Sequence, residues 1–319
     1  MYIRSLSRMA QNKPLVQRVL ASSASVAVKA GEIIRNVMKK GDLGTVDKGV
    51  DDLQTAADRS AQCCIISNLY KQFPKITIIG EEGPNHCKID DHYVGIEGDA
   101  EILAKECPTQ YLDVKDEDIV VWVDPLDGTN EYTKGLLDHV TVLIGIAVNG
   151  RAVGGVVHQP YYNFQNNEDT CGRTLWGLVG MGVGGFTPSE PPKDKFIVTT
   201  TRSHNSDVVM RCLEAVKPDE VLRVGGAGHK VLLVLEGKAH AYIYPSAGCK
   251  KWDTCAPEAI LEAAGGKLTD IFGEHYSYNK DVEFPDEHGI VASNGAIDHT
   301  NLLQKIPQDV LNKFSKIKN

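Results

Sequence analysis

An apolar stretch, Ile119–Val123, runs straight into Asp124-Pro125-Leu126-Asp127-Gly128-Thr129. A continuous run of this kind reads as a strand buried on both faces, so two carboxylates are delivered where a core strand stops. Proline restrains the chain there, and glycine lets it turn tightly. Hard divalent cations take oxygen ligands, and Mg²⁺ sites use few carboxylates together with substrate phosphate. An ordinary acidic turn uses the same residue types. It needs neither so hydrophobic a strand before it nor further acidic clusters elsewhere. A nucleophile-and-acid pair of the Asp-x-Asp kind does not fit, because these aspartates are three apart with proline and leucine between them. That spacing favours paired metal ligation.

Three further acidic sites accompany it. Gly80-Glu81-Glu82 closes a short β-branched strand read over Lys75–Ile79. Lys251-Trp252-Asp253 precedes a helix read over Thr254–Ala264, where Asp253 is equally suited to an N-cap. Asp52-Leu53-Gln54-Thr55-Ala56-Ala57-Asp58 puts Asp58 inside a helix read over Leu53–Phe73. Taken alone, Asp58 would be a surface carboxylate beside Arg59.

Around these motifs the chain changes rhythm. Helical spacing runs from Leu15 to Lys40 and stops at Gly41. After an acidic stretch at 83–118, read as a solvated insertion, strands follow without helices at Ile119–Val123, Val140–Val148, Ala152–Val157, Thr174–Val179 and Met181–Phe186. Beyond the proline-rich 188–192, strands and helices alternate, and a single helix over Leu302–Phe314 closes the chain. The expectation is an α+β half with an antiparallel sheet over 1–190, carrying most metal ligands, and an α/β half over 191–319. The acidic motifs should meet in the cleft between them.

The chain has 319 residues and a net charge of 34 − 42 = −8. That argues against a nucleic-acid partner, which needs a basic field, but not against a small anion held through cations. No apolar run approaches the ~18 residues of a membrane span. The eight cysteines lack paired zinc spacing and read as reduced thiols. Arg4, Arg8, Lys13, Arg18 and Lys29 precede the first acid, Glu32, a pattern shared with transit peptides. A core helix from Leu15 explains the segment as well, and a cytoplasmic protein is the expectation. Oligomeric state is not readable, with a monomer one option.

In order, D-x-x-T-x-x-D, G-E-E, D-P-L-D-G-T and W-D resemble the superfamily of inositol monophosphatase, fructose-1,6-bisphosphatase and the bisphosphate nucleotidases, over roughly residues 15 to 295. Thr199-Thr200-Thr201-Arg202-Ser203-His204, the stretch Val224–Lys230 and the stretch Gly248–Glu258 are most similar to the bisphosphate nucleotidases of animals. The resemblance implies a layered αβαβα sandwich and a lithium-inhibited phosphatase using two or three Mg²⁺. Glu81, Asp124 and the Leu126 carbonyl would hold one ion, and Asp124, Asp127 and Asp253 a second. Thr129 and Asp58 would activate water, with no side-chain nucleophile. Thr129, Thr201, His204 and Gly226 would contact the nucleotide. Lys230 and the bare amides of 225–228 would meet the phosphate that is not cleaved. His229 and Asn130 depart from the family pattern, which has asparagine and lysine there.

The implied reaction takes the 3'-phosphate off adenosine 3',5'-bisphosphate, the by-product of sulfate transfer, with 3'-phosphoadenylyl sulfate and inositol 1,4-bisphosphate as further substrates. An inositol phosphatase would share every metal ligand. A catalytically silent metal or nucleotide sensor would be expected to have lost one.

Overall fold

The computed structural model describes residues 12–49, 52–84, 87–95, 97–166, 171–203 and 206–315. Helix α1 (Leu15–Lys40) ends at Gly41 in the left-handed conformation, as its sequence predicts. The next helix, α2, begins at Ala56 and not at Leu53, running to Gln72. Thr55 is its N-cap, accepting from Ala57 N at 3.1 Å, while Asp58 accepts from Thr55 N at 2.7 Å. This reciprocal cap frees Asp52–Gln54 to pair with Val46–Gly49 as a small antiparallel ribbon.

Six strands form the first sheet in simple chain order: β1 (Thr77–Gly80), β2 (Ile119–Asp127), β3 (Thr141–Val148), β4 (Arg151–Gln159), β5 (Arg173–Leu178) and β6 (Gly182–Gly184). All neighbours are antiparallel except β1 and β2, which run parallel with Gly80 opposite Val123. That register brings Glu81 and Asp124 out at the same edge, and Glu81 N donates to Val123 O at 3.0 Å.

The chain then passes to a mixed sheet of β7 (Ile197–Thr201), β8 (Glu220–Val224), β9 (Ala241–Tyr244), β10 (Lys267–Thr269) and β11 (Ile290–Ser293), in the order β8-β7-β9-β11-β10. Helices α3 (Asp207–Val216), α4 (Ala227–Leu235) and α5 (Lys251–Ala263) belong to this half. The closing helix is two, His299–Gln304 and Gln308–Ser315, because Pro307 interrupts it.

Helices α1 and α2 cover one face of the first sheet, α5 lies on its other face with α4, and α3 and the terminal helices close the second sheet. The result is the expected αβαβα sandwich. Helix α5 approaches closely because Gly145, Gly155 and Gly177 are cross-strand partners forming a bare lane. A Cβ on Gly155 would lie 2.3 Å from Ala256 O, and one on Gly145 would lie 2.6 Å from Cys255 Cβ.

Two expectations need correction. The acidic stretch at 83–118 is not merely solvated: Ile102, Cys107 and Tyr111 are buried, and Gln17 Nε2 of α1 donates to Ile102 O at 2.8 Å. Nor are all cysteines reduced, since Cys63 and Cys87 form a disulfide. Their spacing carries no signal of it; only the fold brings the loop after β1 back onto α2. Among the described residues, no helix is long and apolar enough to cross a membrane.

Candidate active site

Strand β2 does not stop at Val123. It continues through Asp127 with a bulge, pairing Asp124 with Leu143 and Asp127 with Thr141. In a regular strand, residues three apart point to opposite faces. One extra residue on β2 reverses this, so both aspartates face the same way as their partners, which are two apart. The Pro125-Leu126 step is therefore what turns the motif into a two-carboxylate site.

One oxygen from each of Asp124, Asp127 and Asp253 lies within 4.8 Å of the others. Asp253 comes from the first turn of α5. That helix starts at Lys251, so Asp253 is not its N-cap but its third residue, accepting from Lys250 N at 2.7 Å. Glu81 stands beside the trio, and its charge bears on both Asp124 and Asp253.

Burial pushes all four carboxyls up, and their mutual repulsion adds to it. Glu81 rises to about 8 and Asp253 to about 7; Asp124 goes well above the ordinary range, and Asp127 is also raised. Buried like charges are costly unless a counter-ion joins them. The set is all oxygen, the preference of a hard divalent cation. These residues fit a metal.

Asp127 has a second task. Its Oδ1 accepts from Ala227 N at 2.8 Å, and its Oδ2 from Gly228 N at 2.9 Å and Thr141 Oγ1 at 2.7 Å. The anion at the N-terminus of α4 is thus a carboxylate of the protein, which corrects the expectation that these two amides await a phosphate. Gly225 N donates to His139 Nδ1 at 3.2 Å. Gly226 has φ 72°, and a Cβ there would lie 2.7 Å from His139 O.

Asp58 is fully buried. Thr55 donates to its Oδ2 through both its backbone N–H and its hydroxyl, and Thr129 Oγ1 lies 3.0 Å from its Oδ1. The same hydroxyl is 3.0 Å from Leu126 O. Desolvation raises the Asp58 carboxyl despite these donors. It is neither a surface group nor a partner of Arg59.

A cavity of about 370 Å³ opens over the cluster, lined by Glu81, Asp124, Leu126, Asp127, Thr129 and Asp253 and by Thr201, Gly226 and Lys230. Lys230 Nζ donates to Gly226 O at 2.8 Å, and burial lowers its pKa. Asn130 also lines the cavity, whereas His229 turns away and stacks on His139, ring centroids 4.8 Å apart. His204 lies outside the described residues.

Against this geometry the comparisons are decisive. The model of the inositol monophosphatase family matches residues 15–311. The chain belongs to that family. A human family relative, 3'(2'),5'-bisphosphate nucleotidase 1, is 51% identical over 306 residues, covering 95% of this chain and 99% of its own. The Golgi-resident adenosine 3',5'-bisphosphate 3'-phosphatase of Bos taurus is 34% identical, covering 92% and 80%. Among solved structures of the family, CysQ of Bacteroides thetaiotaomicron shares the fold at 24% identity and TM-score 0.63, covering 88% of this chain and 98% of its own. The family is metal-dependent, in keeping with the acidic cluster.

Some supporting residues have no sequence signature. Gln62, one turn after Asp58 on α2, accepts from Glu82 N at 2.9 Å and donates to Gly83 O at 2.8 Å, holding the G-E-E turn. Lys48 pairs with Glu82 at 3.2 Å. The T-x-x-D pattern at Thr55–Asp58 was a legible capping signal; Gln62, Thr141 and Lys48 read as ordinary polar residues.

Proposed function

We propose that this protein is a Mg²⁺-dependent phosphatase that removes the 3'-phosphate of adenosine 3',5'-bisphosphate, giving AMP and inorganic phosphate. The observation that carries the reading is the Thr129–Asp58 contact standing beside the Asp124–Asp127–Asp253 cluster. The choice of nucleotide is supported by the 51% identity to the human 3'(2'),5'-bisphosphate nucleotidase 1.

In this reading Glu81, Asp124 and the Leu126 carbonyl hold one ion, and Asp124, Asp127 and Asp253 another. Bound there, Mg²⁺ supplies charge neutralisation for the transferring phosphoryl group and acidifies water. Thr129 Oγ1 takes a proton from the attacking water as it passes its own to Asp58 Oδ1. Asp58 is suited to receive it: Oδ2 is committed to Thr55, and desolvation raises the carboxyl's proton affinity. Thr201, His204 and Gly226 contact the nucleotide, and Lys230 faces the retained phosphate. A cavity of this volume is of the order that small-ligand sites use.

The test is phosphate release from adenosine 3',5'-bisphosphate, 3'-phosphoadenylyl sulfate and inositol 1,4-bisphosphate, side by side, with Mg²⁺ and with or without Li⁺. Preference for the nucleotide, abolished by lithium, supports the reading. Preference for the inositol substrate would keep the metal chemistry and overturn the substrate. No turnover of any of them would favour a silent sensor.

A further inference from the structure

Outside the acidic cluster, an ion pair spans the cleft. Glu131 lies two residues after Thr129 in the short helix Thr129–Thr133, and its side chain is only 5% exposed. Arg202 follows Thr201 at the end of β7, and its Nη2 donates to Glu131 Oε1 at 3.0 Å. The two residues are 71 positions apart. Glu131 is buried while Arg202 is about a third exposed, so removing Arg202 would leave the buried carboxylate without its cation.

The space for it is made by Gly225. A Cβ there would lie 2.0 Å from Glu131 Cδ, and His139 Nδ1 holds the glycine in place through its N–H. Arg202 N donates to Val224 O at 3.2 Å, just past the paired end of β7 and β8. Residue 202 is therefore anchored by its backbone to β8 and by its side chain to the catalytic turn. Thr201 and Ser203, which flank it, both line the cavity. Glu131 also lines the cavity, so the ion pair fixes the chain between Thr201 and Ser203 at the cavity wall.

We propose that Glu131 and Arg202 are positioning residues: their ion pair sets the nucleotide-side segment at a fixed distance from Thr129, and so determines acceptance of a nucleotide over a smaller phosphomonoester. This rests on the function proposed above. Among the described hydrogen bonds and ion pairs, neither residue contacts Glu81, Asp124, Asp127 or Asp253, so turnover of a substrate without a base should not depend on the pair.

The test compares Glu131→Gln, Arg202→Met and the double variant with the unaltered protein. Each is assayed with Mg²⁺ on adenosine 3',5'-bisphosphate and on p-nitrophenyl phosphate, and its melting temperature is recorded. In each single variant, KM for the nucleotide should rise about tenfold with kcat within about twofold, the signature of lost positioning. Turnover of p-nitrophenyl phosphate should not change. The double variant should match the singles, because the pair acts as one unit. Equal losses on both substrates, no change on either, or additive effects in the double variant would each overturn the proposal. If a variant melts below the assay temperature, Arg202→Lys, which keeps the charge, decides: partial recovery of nucleotide KM is expected, and its absence sinks the tether. An unaltered protein that turns over p-nitrophenyl phosphate but not the nucleotide would instead overturn the substrate reading.

Discussion

Thr129 Oγ1 lies 3.0 Å from Asp58 Oδ1, although 71 residues separate them. One opens the short helix Thr129–Thr133 that follows β2, and the other lies in the first turn of α2. The hydroxyl is also 3.0 Å from Leu126 O, so its proton has two acceptors, and only one of them can keep it.

Replacing Thr129 by Ala should therefore lower kcat by about 10²–10⁴-fold, the usual range for general acid–base groups. Asp58→Asn should fall in the same range, and the double variant should be little worse than either single, since the two act as a unit. Steady-state kinetics at saturating Mg²⁺ would check this. Independent, multiplying losses would mean that the two do not share a proton path.

The acidic cluster makes stability depend on pH in a definite direction. Asp253 is pushed up to about 7 and Glu81 to about 8, whereas unfolded carboxylates titrate near ~4. Between those values the folded chain binds more protons than the unfolded one. The contribution of these two carboxyls to stability falls as pH rises through that window; burial lowers His158, His229 and His299, whose opposing contribution is complete by about pH 6.5. In chelator, the melting temperature should drop between pH 7 and 8.5. With saturating Mg²⁺ the drop should flatten, because the cation pairs with the ionised groups and stabilises by mass action. A flat profile in chelator would contradict the picture of uncompensated buried carboxyls.

Packing beneath the site should be felt at the site. Gly155→Ala would drive a Cβ to 2.3 Å from Ala256 O, costing about 1–3 kcal/mol as overpacking does. It would also push α5, and with it Asp253, away from Asp124 and Asp127. The Mg²⁺ concentration for half-maximal activity should rise together with the loss measured by urea unfolding. Lost stability with an unchanged Mg²⁺ requirement would show that this lane does not place Asp253.

Gln62→Leu removes both hydrogen bonds that Gln62 makes to the Glu82–Gly83 turn. About a tenfold rise in the Mg²⁺ requirement is expected, the scale seen when groups supporting metal ligands are lost. Isothermal titration with Mg²⁺ would measure it directly, and an unaltered affinity would show that Glu81 is held by its own N–H to Val123 O alone.

Much of this was legible in the chain. The apolar run Ile119–Val123 marks the strand that delivers the two aspartates but not the bulge that carries it on to Asp127, and helical spacing starts α2 at Leu53, where the Thr55 cap starts it at Ala56. Helical spacing alone predicts one closing helix, and Pro307 splits it because its ring cannot continue the hydrogen-bond ladder. The start of α5 was misplaced because Lys251, Trp252 and Asp253 look like a loop until Lys250 caps them.

What the sequence determined by itself is chemical inventory and local form: which carboxylates exist, which follow strands, and which lie in or beside helices. Local hydrogen bonding and side-chain period suffice for that. Convergence belongs to the tertiary structure alone. The parallel register of β1 on β2 aligns Glu81 with Asp124, the bulge turns Asp127 to the same face, and the glycine lane admits α5 close enough to bring Asp253. Contacts between residues a hundred or more positions apart, such as Asp127 with Ala227 and Gly228, arise only when the layers pack, because no local interaction records the distance between them.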